Sequence, residues 1–120
     1  MELTSIDRAA IRLAIEQQIQ AFRQANAEAA FSLASPGIQQ QFGNAQTFIS
    51  MVQTSYDPLY RARSVVFEDM GTVEGQPAQQ LVIMGADGAL YQAYYLMQRQ
   101  PSQDWRINGC YLTRMKEVKR

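Results

Sequence analysis

The chain of 120 residues contains no histidine and a single cysteine, Cys110. Without histidine, the commonest metal ligand and the commonest general base are missing together. A lone cysteine closes no intramolecular disulfide, which excludes the stapled scaffold of small secreted domains. An excess of one charge is missing too, since Lys plus Arg and Asp plus Glu each number 11. No net field therefore draws the chain to nucleic acid or to an anionic membrane. Arg114, Lys116, Lys119 and Arg120 cluster near the C-terminus. No aromatic residue lies among them to stack on a base, so they read as a solvated tail. No stretch approaches the roughly 20 apolar residues of a membrane span. Met1 to Ile15 carries Glu2, Asp7 and Arg12 and lacks the basic start and unbroken apolar run of a signal peptide. The expected location is the cytoplasm.

What is present suits a globular protein. Hydrophobic residues make up 47% of the chain, too many for disorder. The length predicts one domain over residues 1–120. A domain of this size buries roughly two thirds of its unfolded surface, enough for one core without staples.

Helical signals fill the first half, over about residues 5–56. Thr4 reads as an N-cap with Asp7 in the first turn. Ile11, Ile15, Ile19 and Phe22 make one apolar stripe, with Arg12, Glu16, Gln20 and Arg23 opposite. Asn26 caps a short helix over Ala27–Ala34. Ser35-Pro36 opens a third that stops at Gly43, and Asn44 opens a fourth over Ala45–Tyr56, ended by Asp57-Pro58. After Tyr60 the apolar period shortens. Arg63–Met70, Pro77–Met84, Leu90–Gln98 and Trp105–Arg114 read as four strands. The expected turns are Gly71–Gln76, the Asp87-Gly88 pair and Gln100–Asp104, which predict an antiparallel meander. The third and fourth strands are apolar on both faces, with Tyr91, Tyr95, Met97 and Leu112 on one set of positions and Tyr94, Leu96, Ile107 and Tyr111 on the other. Helices cover one set. The other predicts a homodimer through the sheet face.

Three stretches resemble a small uncharacterised bacterial family, domain of unknown function 4864. They are Ala30-Phe31-Ser32-Leu33-Ala34-Ser35-Pro36-Gly37-Ile38-Gln39, Gln41-Phe42-Gly43 and Trp105-Arg106-Ile107-Asn108-Gly109-Cys110. The likeness runs from about Ile11 to Arg114 and brings no assigned reaction with it. The order of elements also resembles the nuclear transport factor 2-like and SnoaL-like proteins. That resemblance implies an α+β cone of the cystatin-like kind, with N-terminal helices packed on a curved four-stranded antiparallel sheet. Its steroid isomerases and polyketide cyclases use an acid or an Asp-His pair within the cavity.

Candidate sites are correspondingly sparse. Between Gln76 and Gln103 the only acid is Asp87, in a turn. Glu68, Asp69, Asp104 and Glu16 fall at positions that favour solvent. Tyr56 and Tyr60 end the helical half and are expected at the mouth of the cone. Trp105 opens the last strand, where its ring closes one end of the core. Asn108 is polar within an apolar strand, beside Gly109. It either satisfies a buried backbone group at a bend or orients a ligand. Tyr56, Tyr60, Trp105 and Asn108 are thus the candidate lining of a pocket for a small apolar ligand. Arg99 with Arg106, and Arg61 with Arg63, are candidate carboxylate sites whose simpler reading is pairing with Asp or Glu. Gly85 and Gly88 match no phosphate loop. No cofactor or metal is expected. The expected function is a non-catalytic dimeric association or small-ligand-binding domain; the alternative is a cone-fold enzyme acting on a small apolar substrate.

Overall fold

A computed structural model describes residues 2–116. Lys119 and Arg120 of the basic cluster lie outside the described residues, and Arg114 and Lys116 are exposed. Five helices precede four strands among the described residues: α1 (Ser5–Arg23), α2 (Ala27–Ser32), α3 (Pro36–Phe42), α4 (Ala45–Ser55), α5 (Asp57–Tyr60), β1 (Ser64–Val73), β2 (Gln76–Met84), β3 (Leu90–Arg99) and β4 (Trp105–Arg114).

Side-chain oxygens start the first four helices, as their types predict. Thr4 accepts from the Asp7 N–H while the Asp7 carboxylate accepts from the Thr4 N–H, each at 3.0 Å, which closes a reciprocal capping box. Asn26, Ser35 and Asn44 accept from the N–H groups of Ala29, Ile38 and Thr47. The end of the fourth helix differs from expectation. It stops at Ser55, and Tyr56 takes a φ of −130° before α5 begins. Pro58 does not end a helix here; it sits in the first turn of the next, where its missing N–H has no intrahelical partner to lose.

The strands form an antiparallel sheet in the order β1-β2-β3-β4. Its first hairpin is tighter than the expected Gly71–Gln76 loop. β1 runs to Val73, and only Glu74 and Gly75 turn the chain, with φ of 52° and 78°. A two-residue turn with both φ positive matches the right-handed twist of the flanking strands.

Two bulges reset the alternation. In β1, Phe67 pairs with Leu81 and Met70 with Gln79, so one extra residue is accommodated at Glu68-Asp69. Both acids are exposed, and Phe67 and Met70 both reach the core. Gln79 is 6% exposed. Its amide donates to the carbonyls of Glu68 at 2.7 Å and Gln80 at 2.9 Å, beside the bulge. In β4, Gly109 pairs with Leu96 and Ile107 with Met97, which leaves Asn108 as the extra residue. Strict alternation assigned Ile107 to the face of Tyr94, Leu96 and Tyr111. The bulge turns it to the opposite side, where it packs with Tyr95 and Met97.

The helices lie on one face of the sheet and bury two apolar clusters. The first joins Ile11, Ile15 and Ile19 of α1 to Leu81, Ile83, Ala93, Tyr95, Met97, Trp105 and Ile107 of the sheet. The second joins Phe22 to Ala30, Phe48, Ile49 and Val52 within the helical layer. The connector between α2 and α3 seals the edge of β4: the Ser35 N–H donates to the Ile107 carbonyl at 2.8 Å, and the Ile107 N–H to the Leu33 carbonyl at 2.9 Å. The opposite sheet face has no helix over it. Val66, Leu90 and Tyr111 are 57%, 42% and 47% exposed there.

Candidate functional site

A cavity of about 220 Å³ lies where the two apolar clusters meet. Phe22, Phe48 and Val52 wall it from the helical cluster, and Leu59, Tyr95 and Ile107 from the sheet cluster. Ile38, Gln41 and Phe42 of α3 and Met51 of α4 are its more exposed lining residues. The cavity is half open to solvent on the side of these residues. An apolar cavity of roughly 150 Å³ already admits benzene.

The polar groups of the lining are few and uncharged. Gln18, 3% exposed, donates its amide N–H to the Ala30 carbonyl at 3.2 Å. The Tyr56 hydroxyl donates to the Cys110 carbonyl at 2.8 Å, tying the end of α4 to β4. Tyr95 is 1% exposed, and its hydroxyl has no hydrogen-bond partner. A buried hydroxyl left so costs ~1–3 kcal/mol. Desolvation raises the pKa of both Tyr56 and Tyr95, reinforced at Tyr56 by Cys110 and Tyr111 and at Tyr95 by Cys110 and Tyr56. Burial pushes the Cys110 thiol up to about 12. All three groups are protonated at neutral pH and so are potential hydrogen-bond donors rather than anionic nucleophiles or bases.

Of the four residues singled out by sequence, only Tyr56 lines this cavity. Tyr60 packs its ring 5.8 Å from that of Phe22 on the helical side. Trp105, 6% exposed, sits in the sheet core with the Arg99 guanidinium 4.8 Å over its ring. Asn108 lies between two lining residues but faces elsewhere. Its carbonyl accepts from the Ser35 hydroxyl at 2.7 Å and its amide donates to Gln76 at 2.8 Å. It thereby pins the start of α3 and the first hairpin to the bulge. The other lining residues were not candidates for the pocket, among them the polar Gln18 and Tyr95. Gln18 had a signal, since it interrupts the stripe Ile11–Ile15–Ile19–Phe22 on the buried face. Tyr95 had none beyond its alternation with Ala93 and Met97.

The arginine pairs do not converge. Arg99 pairs with Asp7, Arg106 with Asp104 at 3.7 Å, and Arg61 with Asp57 at 2.7 Å. Arg99 stands opposite Trp105 and Arg106 opposite Gln98, so the two project to opposite sheet faces. Among the described residues no group of three or more Asp, Glu or Cys could hold a metal ion. No helix of the described residues is long and apolar enough to cross a membrane.

Fold and cavity together define an α+β protein with an uncharged, largely apolar chamber between its helices and an antiparallel sheet. The chain belongs to the family described as domain of unknown function (DUF4864), whose model matches residues 4–120. No curated protein and no solved structure matches it.

Proposed function

We propose that this chain is a single cone-like domain, of the nuclear transport factor 2-like kind, that binds a small apolar molecule without transforming it. The observation that carries this reading is the chamber at the junction of the two apolar clusters. Helices on one face of a four-stranded meander are the arrangement expected of such a cone. Binding is favoured over proton-transfer catalysis by the lining itself. It contains no carboxylate, the chain has no histidine, and burial keeps its phenols and thiol protonated.

The test is native mass spectrometry of freshly purified protein, followed by an NMR titration with neutral aromatic probes of about nine heavy atoms, a size the benzene precedent allows. Resonances of Phe48, Val52 and Ile107 shift on titration, and Met51→Trp, which narrows the exposed side of the chamber, weakens binding while the far-ultraviolet dichroism stays the same. A protein that carries no guest and whose spectra ignore every probe removes this function. A second reading, homodimerisation, is favoured by one specific observation: the exposed Val66, Leu90 and Tyr111 on the sheet face without helices.

A further inference from the structure

We propose that the chamber selects neutral guests carrying a hydrogen-bond acceptor, a ketone or ester carbonyl, and that the Tyr95 hydroxyl is the donor that holds it. This deepens the binding function above and rests on it. Among the described residues only two buried side-chain polar atoms lack a partner, the Tyr95 hydroxyl and Arg99 Nε. The Arg99 guanidinium is already engaged, by Asp7 and by the Trp105 ring. Tyr95 has no such compensation, yet its side chain forms part of the chamber wall.

The surroundings of Tyr95 narrow the chemistry. The Tyr56 proton is committed to the Cys110 carbonyl at 2.8 Å. Of the two phenols among the lining residues, the one whose proton has no partner is therefore Tyr95. A hydrocarbon guest would fill space and leave that hydroxyl unpaired. A carbonyl oxygen of the same shape would complete it, and a buried donor left without its acceptor is what makes such a site discriminate. A carboxylate is disfavoured for a separate reason. No lining residue is charged, and an ion taken out of water without a counter-charge is strongly penalised. The guest is accordingly apolar in bulk, neutral, and polar at one end.

Acetophenone and α-methylstyrene test this, because they share a shape and differ by C=O against C=CH2. Both are titrated against the wild type and Tyr95→Phe, with benzoate as the charged analogue. The ratio of acetophenone to α-methylstyrene affinity is expected to fall by about tenfold in Tyr95→Phe, or roughly 1.4 kcal/mol. Benzoate binds neither protein at neutral pH. The Tyr95→Phe protein melts no lower than the wild type, having lost no bond. Should the variant not fold, the wild type still decides: its Tyr95 Cζ resonance shifts with acetophenone and not with α-methylstyrene. An equal affinity ratio in both proteins, with both probes bound, overturns the Tyr95 anchor and leaves the chamber as a binding site. Failure of every probe to bind overturns both. A Tyr95→Phe protein that melts well below the wild type overturns the anchor too, since its hydroxyl would then already be bonded within the fold.

Discussion

Single side chains in this protein carry out different tasks from those their types suggest in isolation. Trp105, offered by the sequence both as the ring that closes one end of the core and as pocket lining, is a core residue, buried beneath the Arg99 guanidinium. Trp105→Ala removes most of a large buried ring and the surface on which Arg99 stacks. Urea denaturation is expected to register a loss of about 3–5 kcal/mol; a loss below ~1 kcal/mol would place the ring outside the core. Cys110 is set by burial rather than by reactivity. Its thiol titrates from the ordinary 9.0 up to about 12 in the folded state. The folded protein thus holds this proton more tightly than the unfolded chain. Its contribution to stability is complete below pH 9.0 and is lost progressively as pH rises toward about 12. Unfolding free energies measured across that window should fall more steeply for the wild type than for Cys110→Ala. Parallel curves would mean that the thiol is solvated.

Elements are positioned by irregularities more than by their regular stretches. The bulge at Asn108 lets Ile107 and Trp105 face the core alongside Met97 and Tyr95, and it gives the Asn108 side chain to Ser35 and Gln76. Deleting Asn108 removes the extra residue and leaves Ile107 opposite Met97 and Trp105 opposite Arg99, so both stay on the core face while the side-chain bridge from Ser35 to Gln76 is lost. The expected result is an unchanged tryptophan emission with a lowered melting temperature, since two side-chain hydrogen bonds are lost. A red-shifted tryptophan emission in the deletion variant would refute the assigned register. The same reasoning explains why the starts of the helices are legible in the sequence and the bulges are not. Thr4, Asn26, Ser35 and Asn44 each act on a backbone N–H three residues away. That chemistry is local. The extra residues at Glu68-Asp69 and Asn108 exist only relative to a partner strand.

Across the whole molecule, the two sheet faces are unequal in what covers them. One meets the helices. The other leaves Val66 of β1, Leu90 of β3 and Tyr111 of β4 in contact with solvent, large apolar groups that a partner surface would cover. A two-fold pairing of copies across this face is the simplest remedy. Sedimentation equilibrium at micromolar concentration is expected to return twice the chain mass. Val66→Lys combined with Leu90→Lys should return the single chain mass with unchanged far-ultraviolet dichroism and a somewhat lower melting temperature, since the stabilisation by association is lost. A monomer in the wild type ends the dimer hypothesis.

The sequence by itself determined the class of the fold, the order of its elements and the nature of the helix starts, because periodicity and capping depend on neighbours a few residues apart. It determined, too, that any site would lack histidine chemistry. It carried the family likeness through the stretches around Pro36 and Trp105, and with Tyr56 it reached one wall of the chamber. The tertiary structure alone decided where the chamber lies and which residues enclose it. A cavity is a property of two clusters that fail to close on each other, one built from α1 and the sheet, the other from the helical layer. Residues as distant as Gln18, Tyr56, Tyr95 and Cys110 meet there. No local pattern records that the Tyr95 hydroxyl would arrive without a partner, since satisfaction of a buried polar group depends on every element packed around it.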